Sequence, residues 1–244
     1  MTPGTGRPRL LNHAVDALIA AGRYAEALAL PERFVAQGSR DSVSELLVQI
    51  NLAEAEYNLG RWSAALDRLR GLDPLAAAFP VARAGLAQQR AWILAHTGKP
   101  GEALHQWHRA ALHDLPRHYH AEHFFTGAVA LIGLGRHDDA RRCAIAGADR
   151  AMRPSSKRNA LFIRARAAAA TGGFTLAESL CRSAAASPYR AQGGDGLLLW
   201  GDLLARLERI EEARLAYALA IERDGQSESA RTAAGRLRES VPAT

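Results

Sequence analysis

The sequence predicts an all-α solenoid: about six antiparallel helix pairs stacked side by side, with one further helix capping the C-terminal end. Three observations carry this. First, one phrase recurs: "AAGRYAEALAL" from Ala20, "NLGRWSAALDRL" from Asn58, "HTGKPGEALHQW" from His96, "GLGRHDDARRCA" from Gly133, "ATGGFTLAESLC" from Ala170 and "RLERIEEARLAY" from Arg206. Second, the residues at its centre, Gly22, Gly60, Gly98, Gly135, Gly172 and Glu208, are spaced 36 to 38 apart. That is a period of stacked supersecondary units. Third, alanine stands five places after every centre, at Ala27, Ala65, Ala103, Ala140, Ala177 and Ala213.

Each unit reads as helix, tight turn, helix. A turn between antiparallel helices needs a residue that tolerates positive φ at the end of the first helix, and glycine supplies it. Seven places before the turn stand Val15, Ala53, Ala91, Ala128, Ala165 and Gly201, mostly small, so facing helices can approach closely. Two places after it the residue is usually bulky, as with Tyr24, Trp62, Phe174 and Ile210, and fills space between layers. First helices are expected over 8–21, 42–59, 80–97, 119–134, 156–171 and 195–207. Second helices are expected over 24–36, 62–71, 101–114, 137–152, 174–186 and 211–223. Pro31 falls inside the first of these and should kink or stop it. The joints carry turn residues: "GLDP" at Gly71, "DLP" at Asp114, "RPSS" at Arg153, "SPYR" at Ser187 and "GGDG" at Gly193. The amphipathic stretch from Ser227 to Ser240 is expected to lid the open end of the last pair. No joint is long enough for a domain linker, so 8–240 reads as one domain, with flexible ends at 1–7 and 241–244.

This grammar resembles the tetratricopeptide repeat family: a small residue before the turn, glycine at it, an aromatic two on and alanine five on. The sixth unit adds Trp200-Gly201 before its turn, then Ala213, Tyr217 and Ala220 after it. The resemblance covers roughly residues 8 to 224 and implies a right-handed superhelix. The chain departs from the family in its longer period, in Glu208 at a glycine position and in Pro31.

The resemblance also implies a concave face lined by the first helices, where a peptide or partner helix docks. Projected onto this sequence, it places Asn12, Asp16, Glu54, Tyr57, Gln88, Trp92, Phe125, Val129, Phe162, Arg166 and Asp202 in a partner-binding groove, with Ile50 and Leu198 beside them. Trp92 and Phe125 are the natural anchors. The family's chaperone-carboxylate clamp is incomplete. Asn12 and Asn51 match it, whereas Asp16, Gly85 and Gln89 replace an asparagine and two basic residues, and Asp16 would repel a carboxylate.

Of the 244 residues, 48% are hydrophobic, but none of the apolar stretches reaches the 18 or so residues of a membrane span. The first residues hold no apolar signal core, and Cys143 and Cys181 are isolated, so a cytoplasmic protein is expected. No phosphate loop, HExxH, GxSxG or CxxC occurs, so neither an enzyme nor a cofactor is expected. Six of nine histidines fall between His105 and His123. The pairs His105/His108 and His120/His123 each share a helix face and could offer ligands to zinc or nickel. The plainer reading is a histidine-rich joint.

The net charge of +6 is concentrated. Arg141, Arg142, Arg150, Arg153, Lys157 and Arg158, with Arg164 and Arg166, face only Asp149 between positions 141 and 166. This basic patch would suit an acidic partner or phosphates. It lacks interleaved aromatics, which disfavours nucleic acid. The leading expectation is a non-enzymatic scaffold or adaptor that binds a protein or peptide, one with acidic character if the basic patch takes part. A peptide-sensing regulator and a metal-binding protein using the His105–His123 cluster are the alternatives.

Overall fold

The structure, a computed structural model, describes residues 7–31, 42–187 and 194–239, and among them there is no β-strand. Six helix pairs follow one another. They are α1 (Arg7–Ala20) with α2 (Tyr24–Ala29), α3 (Ser42–Asn58) with α4 (Trp62–Gly71), and, after a single-turn α5 (Asp73–Ala76), α6 (Pro80–His96) with α7 (Pro100–Arg109). Then come α8 (His120–Gly133) with α9 (His137–Asp149), α10 (Pro154–Ala170) with α11 (Phe174–Ala185), and α12 (Gly194–Arg206) with α13 (Ile210–Asp224). The capping helix α14 (Glu228–Glu239) ends the series.

Every repeat centre is a left-handed residue. Gly22, Gly60, Gly98, Gly135 and Gly172 have φ between 71° and 80°, and Glu208 has φ 60°. In all six turns the next residue's N–H reaches back to the carbonyl five positions earlier, from Arg23 to Leu18 through to Arg209 to Leu204, at 2.8 to 3.0 Å. This is the Schellman closure of a helix end, and it is why the same phrase yields the same turn six times. In three of the turns, that next residue is an arginine paired with an acid three places on: Arg23–Glu26, Arg136–Asp139 and Arg209–Glu212, at 2.5 to 2.6 Å. The acid sits in the first turn of the second helix, where the helix dipole also favours it.

The six register alanines are at most 1% exposed. They mark where second helices press onto first helices, and the gaps beside them take aromatic rings. A Cβ built on Gly201 would lie 2.3 Å from Cε1 of Tyr217, and one on Gly147 would lie 2.5 Å from Cε1 of Phe125. First helices also pack on first helices, α1 on α3, α3 on α6, α6 on α8, α8 on α10 and α10 on α12. They form a continuous inner layer.

The stack does not stay open. α14 packs on α12 and α13 as a lid should, but the C-terminal segment also returns to the first two turns. Tyr24 donates to Asp224 Oδ1 at 2.7 Å, the Ala25 N–H to Gln226 Oε1 at 3.3 Å, and Arg231 Nη2 to the Leu59 carbonyl at 2.6 Å. The superhelix therefore closes into a ring.

Three expectations change in detail. α2 stops at Ala29, before Pro31, and residues 32–36 of the expected 24–36 helix, with Phe34, lie outside the described residues. α7 stops at Arg109 rather than 114, giving way to 3-10 turns at Leu112–Asp114 and Arg117–Tyr119 on either side of Pro116. "GLDP" is a one-turn helix, started by Pro74 at its N-terminus. The expected tail 241–244 and most of 1–7 lie outside the described residues, although Arg7 already begins α1.

Candidate functional site

The ring surrounds a central cavity of about 350 Å³ that opens to solvent and is walled by the inner faces of all six first helices. Eight of the eleven groove residues read from the sequence meet there: Asp16 from α1, Glu54 and Tyr57 from α3, Gln88 and Trp92 from α6, Phe125 from α8, and Phe162 and Arg166 from α10. Three do not. Asn12 stands behind the wall, its Oδ1 accepting from Asn51 Nδ2 at 3.1 Å. Val129 is buried in the core patch of Phe125, Ala144 and Ile163. Asp202 accepts the Tyr217 hydroxyl at 2.9 Å and faces Arg236 at 3.5 Å.

Further residues join the wall, among them Gln89, His96, Tyr119, Glu122, Asp195 and Asp224. Asp195 lies one helical turn beyond the last inward position considered, so extending the same stripe by a turn finds it. Asp224 sits on a second helix and reaches the cavity only because the ring closes.

Part of the wall is rigid structure. Gln88 Nε2 donates to Thr126 Oγ1 at 2.6 Å and to the Glu122 carbonyl at 3.2 Å, while Gln88 Oε1 meets His123 Nδ1 at 3.1 Å. These bonds tie α6 to α8. His96 Nδ1 meets the Trp92 carbonyl at 3.0 Å, and its ring lies 4.1 Å from the Trp92 ring. Burial, then the nearby Arg166 charge, hold the His96 imidazole neutral, its pKa lowered to about 4.

The acidic part of the wall is different. Glu54 makes no ion pair or side-chain hydrogen bond among the described residues. Its pKa is raised to about 7, first by burial and then by the Asp16 and Glu122 carboxylates, with Arg153 offsetting in part. Glu122 uses Oε1 for Ser156 Oγ at 2.5 Å and Arg153 Nη2 at 3.3 Å, while its Oε2 is cut off from solvent with no hydrogen-bond partner. Gln89 Nε2 is in the same position. Burial likewise raises Asp224 to about 6, against the lowering effect of the Tyr24 hydrogen bond. Although the whole chain carries +6, the wall has five carboxylates and three arginines.

The six basic-patch residues do not share one surface. Arg153 and the buried Arg158 line the cavity, Arg158 donating to Asn159 Oδ1 at 3.0 Å. Arg141 and Arg142 face outward from α9 and pair with Asp138 and Asp139, just before the basic run. Arg150 lies over the Phe124 ring at 4.7 Å, and Lys157 is exposed.

The histidines are also dispersed. His105 and His108 are exposed on α7. His120 Nε2 meets the Leu115 carbonyl at 3.1 Å, and His123 is buried, stacked on Trp107 at 5.1 Å. Among the described residues no three His, Cys, Asp or Glu side chains gather as a metal site.

No family model and no curated protein matches the chain. Solved structures do. The Rap protein complexed with competence and sporulation factor is 12% identical, with a TM-score of 0.69 over 96% of this chain and 81% of that one. A tetratricopeptide repeat protein from Parabacteroides merdae is 14% identical, with a TM-score of 0.65 over 98% and 86%. This chain has the tetratricopeptide-repeat fold. NprR in complex with its cognate peptide NprX shares that fold at 16% identity, with a TM-score of 0.57 over 94% of this chain and 71% of that one. In tetratricopeptide-repeat terms, the first helices here are the inner helices, and the cavity is their concave face.

Proposed function

We propose that this protein is a non-enzymatic interaction scaffold of the peptide-sensing kind, with residues 8–240 acting as one unit around a short peptide held in the central cavity. The observation that carries this is the single concavity to which all six inner helices contribute. A wall built from every inner helix offers one continuous concave surface of a size that suits a short extended segment. Aromatic and aliphatic surface from Tyr57, Trp92, Tyr119 and Leu199 adjoins polar groups there, the usual make-up of a ligand site, while Phe125, expected from the sequence as an anchor, is 2% exposed with its ring packed on Gly147 and supports the wall from behind. Two proteins of the same fold, Rap and NprR, have been seen with a bound factor and a bound peptide. Because the wall spans all six pairs, a ligand that binds it would set the spacing of the whole ring. A protein partner would then read that spacing from outside, where Lys157, Arg141 and Arg142 offer an acidic partner some attraction. The cytoplasm suits the two free thiols, Cys143 and the buried Cys181.

The test is to plug the cavity. A Cβ on Gly85 would meet only Ile50 Cδ1, at an ordinary 3.6 Å, so Gly85→Phe puts a ring into the cavity without backbone conflict. Wild type incubated with a random hexapeptide pool and passed over a sizing column should retain peptides detectable by mass spectrometry. Gly85→Phe, with unchanged helical circular dichroism, should retain few. Equal retention by the two proteins would remove the cavity from the function.

A further inference from the structure

Five joints of the ring are closed by apolar side chains. Buried clusters tie α1 to α3 through Val15 and Leu52, and α3 to α6 through Ile50 and Leu86. Others tie α6 to α8 through Leu94 and Ala130, α8 to α10 through Phe125 and Ile163, and α10 to α12 through Phe162 and Leu197. None of these clusters crosses the sixth joint, where α13 and α14 meet the first two pairs.

The contacts at that seam are polar. Tyr24 donates to Asp224 Oδ1 at 2.7 Å, the Ala25 N–H to Gln226 Oε1 at 3.3 Å, and Arg231 Nη2 to the Leu59 carbonyl at 2.6 Å. Asp224 and Ser227 are buried there, and both are polar. The turns at Gly22 and Gly60 come close enough that an added Cβ would lie 3.5 Å from Asp224 Oδ1 and 2.6 Å from Glu228 Oε2. Beside these contacts a cleft of about 180 Å³ separates Tyr57 and Trp62 of the second pair from Leu198 and Glu228. The two sides meet through turns and side-chain tips, with unfilled space alongside.

A joint of this kind parts more easily than the other five. Groups that lose a hydrogen bond when it opens regain one from water, so the net loss per bond is small. Parting an apolar joint exposes buried hydrocarbon, for which water offers no replacement. Opening the seam also breaks no repeat. Each pair keeps its Schellman turn, its buried register alanine and the cluster it shares with its neighbour.

We infer that the seam is a latch: the ring opens between the first two pairs and α13–α14 while every helix stays folded, with Tyr24–Asp224 and Arg231–Leu59 as its catches. Asp16 and Ile19 line the central cavity on one side of the seam, and Gly194, Asp195 and Asp224 line it on the other. Opening separates the two groups and widens the cavity between them. A ligand that touched both would hold the latch shut. The latch itself does not depend on what the cavity holds.

The experiment is small-angle scattering with helical circular dichroism on the full chain. Tyr24→Phe, Arg231→Ala and the double variant remove the catches singly and together. The double variant should show a larger radius of gyration than wild type at unchanged helicity, and each single variant an intermediate one. Arg214→Ala, whose guanidinium pairs with Glu211 on its own helix α13, is the surface control and should leave the radius unchanged. Leu94→Ala, in the apolar joint between α6 and α8, should lower the melting temperature and also leave the radius unchanged. A double variant with the radius of wild type would overturn the latch, because the seam would then be held by something other than its polar contacts. A radius that grows only with loss of helicity would overturn it too, because the helices at the seam would be unfolding rather than parting. Equal growth in Leu94→Ala would place the weak joint elsewhere and overturn it as well.

Discussion

Tyr24 and Asp224, 200 residues apart in sequence, share a buried hydrogen bond of 2.7 Å that joins the first helix pair to the last. The tyrosine is fully buried, and Asp224 has its other partners at Ser227 and the Gly194 backbone. A repeat array whose units touch only their neighbours has two free ends. Here the ends are each other's neighbours. Tyr24→Phe keeps the ring and removes the bond, leaving a buried carboxylate short of a donor at an expected cost of about 1–3 kcal/mol. The damage should depend on pH. Asp224 is raised to about 6 in the folded chain, so the fold binds its proton more tightly than the unfolded chain does. Its contribution to stability is fully present below the usual carboxylate range and falls as pH rises through 6. Without the tyrosine the ionised form is worse still. Thermal melts of Tyr24→Phe should therefore fall further below wild type at pH 8 than at pH 5, and amide exchange in α14 should quicken with them. Equal losses at both pH values would show that the carboxylate is not what the bond supports.

Glu208 holds a glycine's place with φ 60°, the one non-glycine left-handed residue among those described. Its side chain is exposed, so the strain of this conformation, about 1 kcal/mol, has no visible compensation. Glu208→Gly should raise the melting temperature by a few degrees, the scale expected of ~1 kcal/mol in a chain of this length. The same exchange in reverse at Gly135, where an added Cβ has open space around it, should cost a similar amount through conformation alone.

The repeat was legible because its physics is local. A left-handed turn residue, a Schellman bond five residues long and an alanine in the following helix all sit within a dozen positions, and all six turns obey them. The inward stripe was legible for the same reason, and Asp16, Glu54, Trp92 and Arg166 reach the cavity by helical periodicity alone. The meeting of Tyr24 with Asp224, and of Arg231 with Leu59, was not legible. It depends on small rotations accumulated over six joints, and no single joint shows their sum. For that reason the chain reads as an open solenoid with a lid, whereas α14 is a clasp. The basic run misleads for a related cause. Arg141 and Arg142 look unopposed in a window that begins just after Asp138 and Asp139, and Arg153 and Arg158 turn inward.

Gly201 and Tyr217 test the packing within one pair. The Tyr217 ring occupies the space a side chain at 201 would need, with Cε1 2.3 Å from the nearest Cβ position. Gly201→Ala should force the ring aside, disturb its bond to Asp202 and cost about 1–3 kcal/mol. Gly235→Ala, in α14 with nothing within 4 Å of its Cβ, should instead stabilise by about 0.5–1 kcal/mol through helix propensity. Chemical denaturation followed by circular dichroism compares the two directly. A similar effect at both sites would mean that the ring has room to move.

Glu54 and the buried histidines pull the pH dependence of stability in opposite directions, and one substitution separates them. Burial lowers His96 and His123 to about 4, so the unfolded chain binds more protons below pH 6.5, and their contribution fades as pH falls from 6.5 towards 4. Glu54 is raised to about 7, so its contribution is complete below the usual carboxylate range and fades as pH rises through 7. Glu54→Gln removes the second effect and leaves the first. At pH 8 the variant should be more stable than wild type, on the order of 2 kcal/mol, since the neutral amide escapes the cost of ionising beside Asp16 and Glu122. At pH 4.5 the two should melt together, and both should lose stability between pH 6.5 and 4.5 through the histidines. A gain of stability at pH 8 on losing this carboxylate would show that its ionised form costs the fold rather than supporting it. If Glu54→Gln is instead destabilised at pH 8, the carboxylate supports the fold itself, and its isolation in the cavity wall has another cause.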